Sequence, residues 1–225
     1  MIKIRLIIAS LIMAVLISVR ASASSDVVYS WQSSGKSIAL TFDDGPHPRY
    51  TEEILDILDE YGIRATFFFI GVNVEAYPDE ARLVKQKGHE IGNHTYSHQN
   101  LRELSYADIC NEIDYGEVAV YNVTGYRTNL LRPPEGKMSD ILLSEADERD
   151  YNVICWSIDT LDWAHTPTEQ IVDNVLNSTE PGDIILFHDF VSGDSPTPAA
   201  LRRIIPTLLQ RGYEFVTVSE LLCGK

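Results

Sequence analysis

The sequence predicts an α/β fold, an irregular and incomplete (β/α) barrel of about seven strands, and three observations carry that expectation. Apolar runs rich in β-branched and aromatic residues alternate along the chain with segments of helical periodicity, which implies right-handed crossovers and a largely parallel sheet. Several of the strand-like runs are short and almost free of polar residues, as strands covered on both faces are. The residues able to do chemistry fall at or just past the C-terminal ends of these runs, where the loops of a parallel barrel converge on one mouth.

Taken in order, the first strand spans about Ser37 to Asp43 and stops at Asp43-Asp44-Gly45-Pro46. Ile54, Ile57, Leu58 and Tyr61 share one face of a helix that Gly62 closes. Ala65 to Ile70 reads as a buried strand, and Pro78 opens a helix through about Lys87 that ends at Gly88. His89 to Asn93 is a short strand, followed by a long helix from about Ser105 to Tyr121. Leu130-Leu131-Arg132 is a brief strand stopped by two prolines, and a helix from about Asp140 to Arg149 leads into a strand from Asn152 to Ile158. Thr166, Pro167 and Glu169 supply an N-cap, a proline at the first helical position and a capping-box acid for a helix carrying Ile171, Val172, Val175 and Leu176. Asp183 to Phe187 is the sixth strand, a helix kinked at Pro206 runs from Thr197 to Gln210, and Glu214 to Val218 is the last strand before a short terminal helix.

The first residues carry Lys3 and Arg5, an apolar run from Ile7 to Val19, and then Ala21-Ser22-Ala23. This is the pattern of a secretory signal over residues 1–23, with an uncleaved N-terminal anchor as the rival reading. Residues 24–35 form a leader and 36–222 a single domain. Either reading of the N-terminus puts that domain outside the cytoplasm, secreted or associated with the cell wall, with no stable membrane span once the signal is removed. Removing residues 1–23 takes away Lys3, Arg5 and Arg20 and no acid, so the formal charge of −15 becomes −18, 15 basic against 33 acidic side chains. Such a balance argues against nucleic acid or an anionic membrane as the main partner and is compatible with a neutral sugar polymer. Cys110, Cys155 and Cys223 have no Cys-x-x-Cys spacing, so neither a zinc knot nor a disulfide scaffold follows, and one bridge with one buried thiol stays open.

Read alone, Asp43-Asp44-Gly45-Pro46 is a solvated turn, because Asp and Gly are ordinary turn residues. His94 and His98, four positions apart, can reach one ion, although such a pair is more often ordinary surface or core histidine. With a carboxylate added, two imidazoles make a three-ligand site for a divalent ion, and Asp43 or Asp44 is the natural third ligand. Arg132 ends the fourth strand, Asp159 follows the fifth with Asp162-Trp163 just beyond, and His188 ends the sixth. Each has a plainer reading: a surface ion pair for Arg132, a helix cap for Asp159, core packing for Trp163 and a satisfied core histidine for His188. His47, His89 and His165 are taken as structural, His89 buried and bonded. Asn93-His94-Thr95 matches a glycosylation sequon, which is discounted because a glycan there would block the site.

Thr41-Phe42-Asp43-Asp44-Gly45-Pro46, His94-Thr95-Tyr96-Ser97-His98, Arg132-Pro133-Pro134-Glu135-Gly136, Asp159-Thr160-Leu161-Asp162-Trp163 and Ile185-Leu186-Phe187-His188 together resemble the five ordered motifs of the polysaccharide deacetylases, the NodB-homology carbohydrate esterases. The resemblance covers about residues 36–222. It implies metal-dependent removal of acetyl groups from N-acetylglucosamine polymers or, less often, from acetylated xylan. It makes Asp44, His94 and His98 the metal ligands and Asp43 the catalytic base. Arg132 would orient Asp43 and hold it ionised, and His188 would be the acid, tuned by Asp159. Pro134, Glu135, Trp163 and Leu186 would line the substrate, with a backbone N–H near Pro134-Glu135 helping to bind the oxyanion. Zinc is the expected ion, with cobalt, manganese or nickel compatible with mixed N/O ligation.

One position departs from the pattern: Glu135 stands where the family usually carries an aromatic residue, so the wall there becomes acidic. It would either read an amino or peptide group on the polymer or be a solvent-facing loop acid. The expected activity is therefore N-deacetylation of an extracellular polymer, peptidoglycan or chitin-like, by a monomer. An O-acetyl xylan esterase is the alternative within the same chemistry, and an inactive sugar-binding wall protein the alternative of another class.

Overall fold

The computed structural model describes residues 27–32 and 35–224. The predicted signal over residues 1–23 lies outside them. Among the described residues, no helix is long and apolar enough to cross a membrane.

Eight strands among the described residues, all parallel, are built on β1 (Ser37–Asp43), which pairs with β2 (Thr66–Phe69) on one side and β7 (Ile184–His188) on the other. From β2 the sheet continues through β3 (Glu90–Asn93) and β4 (Leu130–Leu131) to β5 (Asn152–Val153), and from β7 to β6 (Ile158–Asp159). The eighth, β8 (Glu214–Phe215), pairs with the start of β1. β1 is buried at every position, as a strand with neighbours on both sides and cover on both faces must be.

The sequence expectation of one strand over Asn152 to Ile158 is corrected here. Its first residues pair with β4 and its last with β7, at opposite ends of the strand order. That split forces the sheet to curl. Seven strands laid flat would separate β5 from β6 by about 29 Å at ordinary strand spacing, whereas the five residue steps from Val153 to Ile158 reach at most about 18 Å. The crossing is fixed by hydrogen bonds from Ile154 N to Leu131 O (2.9 Å), Cys155 N to Val28 O (2.7 Å) and Ser157 N to Ile184 O (3.0 Å). Bridges of Val28 to Ile154 and of Ser30 to Asp183 lay residues 28–30 across the same opening. The result is the incomplete barrel that the sequence predicts.

Side-chain alternation along the strands separates two apolar layers. Phe42, Phe67, Phe69 and Phe187 face outward into the main core, against α1 (Tyr50–Glu60), α3 (Pro78–Gln86), α6 (Thr168–Ser178) and α7 (Thr197–Gln210). Ala39, Phe68, Leu130, Ile154 and Ile184 face inward and pack with Val216, Val218 and Leu221 near α8 (Val218–Leu222). A third cluster joins α4 (Tyr106–Thr124) and α5 (Asp140–Glu148) to β4 and β5. Asp43 belongs to the inward-facing set of β1, in step with Ala39 and Thr41, and its register partner on β7 is His188.

Two local expectations fail. The sequence does not signal the helix over Gly71–Ala76, α2, because six residues carry too few apolar positions to show periodicity. The capping box at Thr166 does not form. α6 begins at Thr168 with extended Pro167 at its N-cap, and Glu169 is bonded to Arg203 of α7 (2.6 Å) rather than folded back. Cys110, Cys155 and Cys223 are free thiols, and burial pushes that of Cys155 up to about 11.

His89 is buried, and its Nδ1 accepts the amide of Ala65 (3.2 Å). Burial holds its pKa down at about 4, against 6.5 for an ordinary histidine. The unfolded chain therefore binds a proton near pH 6.5 that the fold refuses until about pH 4, so stability must fall as pH is lowered between those values. The effect is worth about 3 kcal/mol at most. Urea midpoints at pH 4.5 and 7 should differ less for His89→Asn, which keeps an acceptor for Ala65 and removes the titration.

Candidate active site

Asp43 is the last residue of β1, and the chain leaves the strand through Asp44 at φ 74°. Asp is among the few non-glycine types that tolerate this left-handed region. Gly45 comes next, and a Cβ there would meet the Asp189 carboxylate at 2.2 Å, so only glycine fits. Because of the turn, the two carboxylates do not point to opposite sides of a strand. Asp43 Oδ2 and Asp44 Oδ1 approach His94 Nε2 at 3.6 and 3.5 Å, and Asp44 Oδ1 also lies 3.2 Å from His98 Nε2.

His94 directly succeeds β3, is buried, and donates from Nδ1 to Arg132 O (2.7 Å), which leaves Nε2 with a free lone pair toward the carboxylates. Burial favours its neutral form, but the facing Asp43 and Asp44 outweigh this and raise its pKa. His98, half-buried, is held below the ordinary histidine value by burial and by neighbouring His94. For Asp44, burial works against ionisation, yet His94, His188 and His98 together hold its carboxyl below the usual range.

Ligand atoms of Asp44, His94 and His98 all lie within 4.8 Å of one another. Asp44 Oδ1 is buried and forms no hydrogen bond with the protein. A carboxylate oxygen short of a donor beside two imidazole nitrogens is a donor set suited to a divalent cation, so these residues fit a metal.

Below this cluster, Arg132 fills the barrel interior with no exposed surface and lies 4.0 Å over the ring of Phe68. Its Nη1 donates to Asp43 Oδ1 (2.6 Å) and Thr41 Oγ1 (2.9 Å), Nη2 to Cys155 O (3.0 Å) and Nε to Ile154 O (3.3 Å). The plainer reading of Arg132 as a surface ion pair is thus excluded.

On the other side, His188 donates from Nδ1 to Asp162 Oδ1 (2.7 Å). This corrects the sequence expectation that Asp159 tunes His188. Asp159 instead accepts the Leu161 amide (2.8 Å) and caps its own turn. Asp162, fully buried, also accepts the backbone N–H of His188 (2.8 Å) and the hydroxyl of Thr197 (2.5 Å) on its other oxygen. Both acids stand in one Asp-x-x-Asp-Trp stretch, and spacing alone does not reveal which of them the chain turns inward. Burial of His188 opposes its charge, but the Asp162 bond and the Asp162, Asp43 and Asp44 charges push its pKa up to about 9.

These groups open on a cavity of about 510 Å³ walled by Trp156, Trp163, Leu186, Asp159, Glu135 and Lys137. Trp163 is half exposed and Leu186 buried. Pro134, expected to contact substrate, is buried as the first residue of a 3-10 turn and is not among the residues that line the cavity. The turn uses the amides of Gly136 and Lys137, which donate to Pro133 O and Pro134 O, and leaves that of Glu135 outside its own bonds. Glu135 is exposed and ion-paired with Lys137, a partner that its sequence position does not single out. Asn93 of the sequon is fully buried, and its Nδ2 donates to Ile113 O (2.9 Å).

A curled half-barrel with an Asp-His-His cluster and a buried Arg-Asp pair at its C-terminal mouth defines a hydrolase-like centre. Comparison with known proteins names the class more closely. A polysaccharide deacetylase family model matches residues 31–154. A peptidoglycan-N-acetylglucosamine deacetylase of Bacillus cereus is 41% identical over 198 residues, covering 87% of this chain and 92% of the relative. The crystal structure of a peptidoglycan N-acetylglucosamine deacetylase bound to a naphthyl N-hydroxybenzamide superposes with a TM-score of 0.84 at 36% identity, over 87% of this chain and 92% of that one. A CE4 family pseudoenzyme from Bacillus anthracis has the same TM-score at 29% identity, over 90% of this chain and 70% of that one. The chain belongs to the polysaccharide deacetylase family, metal-dependent hydrolases that remove acetyl groups from polysaccharides.

Removing the Arg132 head group strands the Asp43 carboxylate, which is only 2% exposed. Arg132→Met should therefore lower the free energy of unfolding in urea by about 3–5 kcal/mol, even though methionine fills much of the same volume. Asp43→Asn in the Arg132→Met background should recover part of that loss.

Proposed function

We propose that this chain is an extracytoplasmic, zinc-type enzyme that N-deacetylates N-acetylglucosamine residues of peptidoglycan. One observation carries the reading: Asp43 is fixed by Arg132 through one oxygen and faces the His94-Asp44 cluster with the other, while His188 ends the neighbouring strand in register with it. A sugar-binding wall protein has no use for this combination. The likeness to peptidoglycan deacetylases supports the polymer, and the pattern of residues 1–23 supports the location.

Asp44, His94 and His98 would hold the ion. When bound, it supplies a Lewis acid that polarises the acetyl carbonyl and acidifies a water. Asp43 Oδ2 takes the proton of the attacking water, its other oxygen being anchored by Arg132 so that the acceptor does not swing away. The acetyl methyl rests against Leu186 and the tryptophan walls, and the Glu135 amide is the backbone donor available to the carbonyl oxygen as it gains charge. His188, protonated at neutral pH and held by Asp162, gives its proton to the departing amine.

Acetate release from peptidoglycan, chitooligosaccharides and acetylxylan, with and without a chelator, tests this directly. Chelator-sensitive release from peptidoglycan is expected. Preference for acetylxylan would make the chain an esterase, and tight polymer binding with no release from any substrate would make it a pseudoenzyme. Asp43→Asn should retain metal and lose turnover by a factor of at least about a hundred, whereas His94→Ala should lose both. Metal content of the purified variants separates the two.

His188 supports turnover only while protonated, so activity should decline as pH rises through about 9. Asp162→Asn removes the main source of that elevation. Its alkaline limb in a kcat/KM–pH profile should move toward neutrality, and an Asp159→Asn profile should keep the wild-type limb.

A further inference from the structure

We propose that Glu112 is a positioning residue for the metal site, a buried carboxylate on α4 that holds the residues on both sides of His98, Ser97 through its amide and hydroxyl and Gln99 through its side chain. The inference rests on Asp44, His94 and His98 being the metal ligands. His98 does not sit on a strand or helix. It belongs to the loop after β3, at φ 57°, with Thr95 at φ 68° in the same loop. Non-glycine residues stay in this region only when their surroundings hold them there.

Four sets of bonds do so. Asn93 Oδ1 accepts the Thr95 amide (2.9 Å), and the first amides of α2, Gly71 and Val72, donate to Thr95 O and Tyr96 O (2.9 Å each). These secure the loop up to Tyr96. Beyond it, the His98 amide itself donates to Thr95 Oγ1 (3.3 Å), and Glu112 fixes the neighbours of His98: its Oε2 accepts the Ser97 amide (2.8 Å), and its Oε1 accepts the Ser97 hydroxyl (2.6 Å) and Gln99 Nε2 (3.2 Å). The residues before and after His98 thus donate into one side chain from another element. Glu112 is only 6% exposed, and among the described residues no lysine or arginine forms an ion pair with it. A buried carboxylate whose donors come from the ligand loop keeps that loop in one arrangement, because any other leaves the charge without partners. No sequence motif flags it, since it lies fourteen residues from His98 on a helix of mixed polarity.

The test is zinc affinity of the full domain by competition titration, with the Tm of zinc-free and zinc-loaded protein. Glu112→Ala should bind zinc about 10–100-fold more weakly. Glu112→Gln, whose amide oxygen still accepts the Ser97 N–H, should recover most of the affinity. Wild-type zinc affinity in Glu112→Ala overturns the proposal. A Gln variant no tighter than the Ala variant overturns it as well, because the loss would then track charge and not seating. If Glu112→Ala does not fold, the Ser97→Ala/Gln99→Ala double variant takes its place: it removes two of the three donors, and unchanged affinity there is equally fatal. A wild-type chain that binds no zinc sinks the ligand assignment itself, which is distinguishable from a wild type that binds zinc and a Glu112 variant that binds it equally well.

Discussion

The ion pair between Arg132 and Asp43, sealed inside the barrel beneath the mouth, is the constraint on which the rest of the structure depends. Two charges buried together are costly unless every remaining donor and acceptor is satisfied. Arg132 meets that condition with Asp43, the Thr41 hydroxyl and the carbonyls of Ile154 and Cys155. Thr41 in turn donates to Ile185 O (2.9 Å), so the pair is wired to β7 as well. The guanidinium is therefore a strut that no other side-chain cation reproduces, since lysine offers a point charge where a planar fork is required.

Closure of the sheet and construction of the site are one event. The segment from Ile154 to Ser157 crosses between the sheet edges, and two of its carbonyls are the ones that hold Arg132. A flat sheet would carry those carbonyls to a distant edge and leave the guanidinium unsatisfied. Curling brings them under the mouth, and it also sets β6 beside β7, so that the turn after β6 delivers Asp162 to His188. Fold and chemistry are thus stabilised by the same bonds.

Much of this was legible in the chain. Strand ends at Asp43, Asn93, Arg132 and His188 can be located from apolar runs and breakers, and a parallel barrel brings the loop residues after each strand end to a common mouth. His94 and His98 meet beside a carboxylate, as their four-residue spacing suggests, and the carboxylate grouped with them is Asp44, which the family resemblance and not the spacing singles out. The failures have physical causes. Asn152 to Ile158 is largely apolar, and an apolar run carries no mark of where a strand changes partners. Choosing between Asp159 and Asp162 depends on a left-handed residue at Leu161 (φ 57°), which a leucine does not announce. Glu112 and Lys137 enter the site from elements whose sequence pattern is that of ordinary solvated surface.

Left-handed backbone at non-glycine residues recurs around the mouth, at Asp44, Thr95, His98, Glu135 and Leu161. Each such residue costs of order 1–3 kcal/mol when unsupported, and three of them perform a specific placement. Asp44 turns so that its carboxylate joins that of Asp43 at His94, His98 turns to complete the cluster, and Leu161 turns Asp162 inward. An ideal strand-to-helix connection would send successive side chains to opposite faces and scatter these groups. The buried network offsets the strain: Asn93, Glu112, Asp162 and Arg132 each commit a desolvated polar group to holding one irregular stretch of backbone. The mouth is consequently the place where local backbone preference and global packing disagree most, and the chemistry sits there because only such turns let side chains from different strand ends converge within a few ångströms.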